Sequence, residues 1–252
     1  MLHFAEMTAP VSRNRWTEAQ SAEREYWRWP AIDPREFARV LADLAEAAVW
    51  ARQHFPADHP PAGDWLEIGI GPMGIGCIHF LHEAADRRLV GVDPLEQLAA
   101  SDVSLPALFE ATLSAARSMY EHRIATGEAT GLPESSFGFA VLHNMLDHVQ
   151  DPGAVLRETR RVLCSNGILF LACDTHSMLS QLRHRVYTRR HAGDSWLVRA
   201  HPFRFRPSEI FGLLDASGFS IRSHNLTSKS VAETVGGATR LRILAEARAK
   251  DS

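Results

Sequence analysis

Cysteine is scarce in this chain of 252 residues. Its three cysteines, Cys77, Cys164 and Cys173, are scattered, and no CxxC pair occurs. A disulfide framework or a zinc knuckle is therefore not expected, and a reducing cytoplasm fits. Lysine is nearly missing, since 25 of the 27 basic residues are arginine. With abundant alanine this points to a GC-rich coding sequence and not to a function. No charge of one sign dominates. At a net −3 the molecule has no electrostatic bias toward nucleic acid or anionic membrane. No apolar run reaches membrane-spanning length, and the opening MLHFAEMTAPVSRNRW lacks the apolar core of a signal peptide, so a cytoplasmic protein is expected. Repeats and low-complexity segments are absent. A hydrophobic content of 45% supports an ordinary packed core: one α/β domain with an appendage, or two small domains.

Residues 1 to 30 are polar around an aromatic knot of Tyr26, Trp27 and Trp29. Asp33-Pro34-Arg35-Glu36 then opens a helix, with Asp33 as cap and Glu36 completing a capping box. Pro56, Pro60, Pro61 and Gly63 break the chain and mark a boundary. Residues 1–60 are therefore read as a helical arm or lid, and 61–252 as the main domain. From Asp64 onward strands and helices alternate. Strands are predicted near 64–70, 88–93, 122–127, 137–143 and 167–173, and helices near 73–84, 107–120, 152–163 and 207–217. Two closing strands, 219–225 and 240–247, are joined only by a loop and so pair antiparallel. The fold expected is a doubly wound, seven-stranded, mostly parallel sheet with an antiparallel C-terminal edge strand and an N-terminal helical extension.

The densest information lies in WLEIGIGPMG, residues 65–74, where an apolar strand runs into a glycine turn. Asp93 ends the next apolar run, RLVGVD. Together they form a βαβ unit that grips a nucleoside cofactor by its ribose. Gly69, Gly71 and Gly74 satisfy GxGxxG, which brings an NAD-dependent oxidoreductase into consideration. Glu67 separates the alternatives. NAD would place a doubly negative pyrophosphate on the turn, where this carboxylate repels it. S-adenosylmethionine presents an ammonium beside a sulfonium, which the same acid attracts. Asp93 would then accept both ribose hydroxyls, Leu95 would offer the base an apolar face, and Glu128 would accept from the adenine amine.

Five segments in order resemble the class I S-adenosylmethionine-dependent methyltransferases: LEIGIGPMG (66–74), VGVDPL (90–95), GEATGLPESSF (127–137), VLHNMLDHVQDP (141–152) and LRETRRVLCSNGILFLA (156–172). The resemblance covers about residues 60 to 247. It implies a Rossmann-like fold, S-adenosyl-L-methionine as cofactor, and cofactor contacts at Glu67, Gly69, Gly71, Asp93, Glu128 and Ala129. It places Asn144 beside the methyl group. Three departures are visible. The third glycine, Gly74, falls one residue late, at a turn where the family has its glycine at the position of Met73. The family's aspartate is missing near Gly138. The stretch from Asp93 to Gly127 is long, and its DPLEQL start resembles a bacterial subgroup associated with glycan or natural-product pathways.

Methyl transfer is an in-line displacement that depends chiefly on holding the nucleophile close to the methyl. A base is needed only for a hydroxyl or ammonium nucleophile, and histidine suits that work. His143 and His176, at the ends of the fourth and fifth strands, are the catalytic candidates. Cys173 and Asp174 end the fifth strand near the substrate. His148 is read as a packing residue, and Trp27 and Trp29 either cover the cofactor or bury the arm. A metal site from His143 and Asp147 lacks a third ligand, so no metal is expected. Thr175–His201 interrupts the fold with five arginines, four histidines and one acid. It is read as a substrate-capping insertion suited to an anionic acceptor, or else as a solvated or oligomer-forming helix pair. The expected partner is a small-molecule substrate, without nucleic acid or membrane; a homodimer stays open. The rivals are an NAD-dependent oxidoreductase and a catalytically silent S-adenosylmethionine-binding subunit.

Overall fold

A computed structural model of the chain describes residues 8–55, 61–81, 87–181, 186, 196–228 and 238–249. Two helices come first, α1 (Arg13–Tyr26) and α2 (Pro34–Gln53). The alternating part follows: β1 (Asp64–Ile68), α3 (Cys77–Leu81), β2 (Leu89–Asp93), α4 (Ala107–Ser118), β3 (Glu121–Ile124), β4 (Phe137–His143), α5 (Pro152–Val162) and β5 (Leu163–His176). A short α6 (Trp196–Ala200), then α7 (Pro207–Ala216), β6 (Phe219–Ser228) and β7 (Ala238–Ala247) complete the described elements.

The seven strands lie in the order β3-β2-β1-β4-β5-β7-β6. The first five are parallel, and β7 pairs antiparallel with both β5 and β6. The expected mostly parallel sheet thus forms. Its antiparallel C-terminal strand lies one place in from the edge, which β6 occupies. Along β4, Phe139 and Val141 pack toward α2 and α3, while Ala140 and Leu142 pack toward α5 and α7. Both faces are covered, which is why β4 and β5 read as continuous apolar runs in the sequence.

Local chemistry sets the element ends. Ser12 caps α1 by accepting from the Arg15 N–H, and Asp151 caps α5 by accepting from that of Ala154. Asp33 caps α2 through the Arg35 N–H, but the capping box expected with Glu36 is not what forms. Glu36 instead accepts from the Tyr26 hydroxyl and from Arg39, because α1 ends against it. The helix expected from residue 73 starts at Cys77. Residues 69–76 are spent on the turn.

Gly138, where the family's aspartate is missing, lies directly beneath the backbone of Ala62 and Gly63. A Cβ at this position would overlap the Ala62 carbonyl oxygen. Gly138→Ala is therefore expected to cost about 2–4 kcal/mol, read as a lower urea midpoint with an unchanged slope.

Candidate functional site

A cavity of about 370 Å³ opens at the C-terminal ends of β1, β2 and β4. The strand order reverses between β1 and β4, the place where open α/β sheets bind ligands. The cavity continues under α1 and α2, which supply Gln20, Glu23 and Asp43 to its wall, joined by Trp27 just past the end of α1.

Gly69 and Gly71 both adopt positive φ, +82° and +78°. That conformation turns the chain sharply at the end of β1. A Cβ on Gly69 would come within 2.5 Å of that of Met145, and one on Gly71 would press on the Trp27 ring at 3.2 Å. Gly74 also has positive φ and closes the turn by donating to the Gly71 carbonyl. The late glycine is thus used in the turn, and Met73 goes into the core. Arg117 on α4 holds the loop from behind, donating to the carbonyls of Pro72, Met73 and Leu98. Nothing in the spacing pointed to Arg117, because its partners are backbone atoms.

Glu67 is 1% exposed. Its two carboxylate oxygens accept from the backbone N–H groups of Cys77 and Ile78, at 3.0 and 2.8 Å. The acid therefore occupies the opening N–H groups of α3. Burial pushes its carboxyl up to about 7, opposed by those two hydrogen bonds. Asp93 is held in the same way, with Oδ2 accepting from Gly71 N–H at 2.8 Å and Oδ1 from Leu95 N–H at 2.9 Å. Burial raises it to about 6. Both acids line the cavity, as does Leu95. Glu128 lines it too, accepting from the N–H groups of Gln150 and Asp151. Ala129 is exposed and is not part of the wall.

Asn144 lies in the wall with φ at +51°, and its buried Oδ1 has no hydrogen-bond partner. A strained backbone and an unpaired carbonyl aimed at a cavity are features of a ligand contact.

The two histidine candidates separate. His143 lines the cavity. Its Nε2 lies 3.4 Å from Arg240 Nη1 and 3.7 Å from Asp43 Oδ2. Burial and the Arg240 guanidinium hold its pKa well below the usual imidazole value, against the pull of Asp43 and Asp174. It is a neutral and weak base. His176 is outside the wall, and its Nδ1 faces Arg204 Nη2 at 3.0 Å. The structure does not bring it to the cavity as a base, because β5 runs on to residue 176 in register with β7.

Other readings resolve as well. Trp27 covers the glycine turn, whereas Trp29 is 62% exposed. His148 is more than packing: it lines the cavity and lies 3.2 Å from Glu23 of α1. Burial disfavours its charge, but Glu23 and Asp147 outweigh that and raise it to about 10. Asp147 turns to His148 and His201, not to His143. Cys173 is buried in the core, while Asp174 reaches the cavity and accepts from Arg240 at 2.7 Å. Most of the arginines and histidines of 175–201 fall outside the described residues. No described helix is long and apolar enough to cross a membrane.

Comparison with known proteins agrees with this geometry. A family described as a methyltransferase domain matches residues 66–171. An uncharacterized methyltransferase of Schizosaccharomyces pombe is 27% identical over 172 residues, 68% of this chain. The chain spans 57% of that relative's length. Among solved structures, a 1,6-didemethyltoxoflavin-N1-methyltransferase of Burkholderia thailandensis, bound to S-adenosylhomocysteine, superposes with a TM-score of 0.62. It is 15% identical, and the match covers 96% of this chain and 95% of that one. The cyclase SpnF superposes at 0.57 with 13% identity, covering 82% and 81%. At such identities the likeness is one of fold alone.

Proposed function

We propose that this chain, whose residues 66–171 match a methyltransferase domain, is a class I S-adenosylmethionine-dependent methyltransferase that moves a methyl group to a small polar acceptor. The acceptor lies in the cavity between the glycine turn and helices α1 and α2. The observation that carries the choice of cofactor is the placement of Glu67. Its carboxylate already fills the N–H groups at the start of α3, where a dinucleotide would seat its pyrophosphate. A phosphate arriving there meets an occupied site and a like charge; an ammonium meets an acid whose burial disfavours its charge until a cation arrives. Asp93 and Glu128 supply ribose and adenine acceptors along the same wall, and Asn144 supplies an unpaired carbonyl near the methyl.

The acceptor half of the wall carries Asp43, Asp174, His143 and Arg240, with Arg240 paired to both acids. This balance supports a neutral or cationic acceptor over a strongly anionic one. Helices α1 and α2 act as the lid, with Glu23 and Trp27 against the cavity. His143, with its lowered basicity, works as a hydrogen-bonding wall that orients the acceptor. Since transfer from a sulfonium releases a neutral thioether, orientation supplies most of the rate.

Calorimetric titration with S-adenosylhomocysteine and, separately, with NAD tests the cofactor, and labelled methyl transfer to a panel of amines and hydroxyl compounds tests the reaction. NAD binding without S-adenosylhomocysteine binding would overturn the proposal. The pH dependence adds a second check. Glu67 and Asp93 have raised folded-state values, so the stability they contribute is full below their unfolded values of about 4 and is lost as pH rises from there to about 6 and 7. The unliganded protein is expected to melt progressively lower over that interval from these two groups. S-adenosylhomocysteine binds their ionised forms, so its affinity is expected to rise about tenfold or more between about pH 5.5 and pH 8. A flat affinity profile would mean that neither acid meets the ligand.

A further inference from the structure

We propose that Asp147, His148 and His201 form a binding site for a divalent transition-metal ion in the wall of the cavity. Each residue offers one ligating atom, and these atoms lie within 4.8 Å of one another. Asp147 Oδ1 is 3.5 Å from His148 Nε2, and its Oδ2 is 3.7 Å from His201 Nε2. Atoms bound to one ion at about 2.0–2.2 Å are separated by about 3–4 Å, so small side-chain movements close the site.

Two further observations point to a ligand. Asp147 is 4% exposed, and its Oδ1 has no hydrogen-bond partner. A buried carboxylate oxygen left in this way calls for a cation or a proton. The outer surroundings are also those of a metal-bound imidazole. His148 Nδ1 is 2.9 Å from the Ala200 carbonyl and 3.2 Å from Glu23 Oε1. A proton on Nδ1 given to the Ala200 carbonyl, with the Glu23 carboxylate close beside it, directs the Nε2 lone pair toward Asp147. The segment carrying His201 is held in place by Phe203, whose N–H donates to the Asp147 carbonyl.

Two imidazoles and one carboxylate suit zinc, cobalt, manganese or ferrous iron, and not calcium or magnesium. Three protein ligands leave open positions. His148 and His201 both line the cavity, so those positions face the space where an acceptor lies. An oxygen or nitrogen of the acceptor is the fitting occupant. Without an ion the same carboxylates hold a proton on His148, which is the competing reading of the cluster.

The test uses the full, untagged chain after chelator treatment, dialysed against Zn²⁺ or Co²⁺. The wild type is expected to take up one ion per chain, with visible cobalt absorption bands of low-symmetry nitrogen and oxygen ligation. His201→Ala and Asp147→Asn should abolish that uptake, and Glu23→Gln should weaken it about tenfold. Thermal unfolding shows that each variant is folded, and the wild-type cobalt spectrum serves as the deciding measurement if one is not. Uptake equal to that of a His148→Ala/His201→Ala double variant, or a cobalt spectrum of the hydrated ion, would overturn the site and leave the proton as its only occupant. No methyl donor enters the measurement, so its failure is separate from any failure of the methyltransferase reading.

Discussion

Asp93→Ala is expected to weaken S-adenosylhomocysteine binding by about 100-fold. Each oxygen of Asp93 already accepts one backbone N–H, from Gly71 and from Leu95. Each keeps a second lone pair for a ribose hydroxyl. Hydrogen bonds to a charged group contribute about 1.5–3 kcal/mol apiece, and water replaces part of that in the variant. A net loss of about 3 kcal/mol corresponds to the stated factor. The substitution also frees the Gly71 and Leu95 N–H groups, which loosens the loops on both sides of Asp93. Asp93→Asn separates the two effects. It keeps one acceptor and the shape, but turns an NH2 toward one of the N–H donors. Calorimetry on both variants decides the matter: a change below about threefold in the alanine variant would remove Asp93 from the cofactor site.

Arg240→Met is expected to cost about 2–3 kcal/mol of stability at about pH 8. The guanidinium is buried, and it joins Asp174 on β5 to Asp43 on α2. Removing one member of a buried ionic group leaves the others uncompensated. The two carboxylates are partly exposed, at 23% and 32% of their side chains, so water recovers some of the loss. The pH dependence identifies the cause. In the wild type His143 is held below its unfolded value, so the folded state binds fewer protons and loses stability as pH falls below about 6.5. Without Arg240, burial and Arg242 still hold the imidazole down, but the pull of Asp43 and Asp174 is less opposed and its value rises. The stability gap between variant and wild type should therefore narrow toward about pH 5. Urea midpoints at the two pH values measure this, and a constant gap would show that Arg240 and His143 do not act on each other.

Much of the fold was legible because its elements carry local signals. Asp33-Pro34 and Asp151-Pro152 start helices where they appear to, and β4 and β5 declare themselves by runs that are apolar on both faces. Glu67 and Asp93 could be placed in the cavity wall because a strand end fixes both their position and their direction, and Leu95 and Glu128 sit on the loops that leave β2 and β3. What stayed hidden depends on distant contacts. Helix α1 buries only Ala19 and Ala22, too little to make an apolar stripe, although it supplies part of the cavity wall. Arg117 acts through backbone carbonyls that have no residue signature. His143 and His176 looked alike as strand-end histidines. Only the packing of Arg240 against one and of Arg204 against the other tells them apart. The trio of Asp147, His148 and His201 spans more than fifty positions, so no spacing rule could assemble it.

Helix α1 bears on the order in which the protein is built. Its hydrogen bonds reach far ahead in the chain: Gln20 to His148, and Arg15 to the carbonyls of Val198 and Arg199. When α1 leaves the ribosome, none of these partners exists, and most of the chain must follow before the last of them emerges. This helix is thus made well before the elements it docks on, and it docks late. For the intervening seconds its aromatic residues are exposed to chaperones, and the nucleoside pocket lacks its roof.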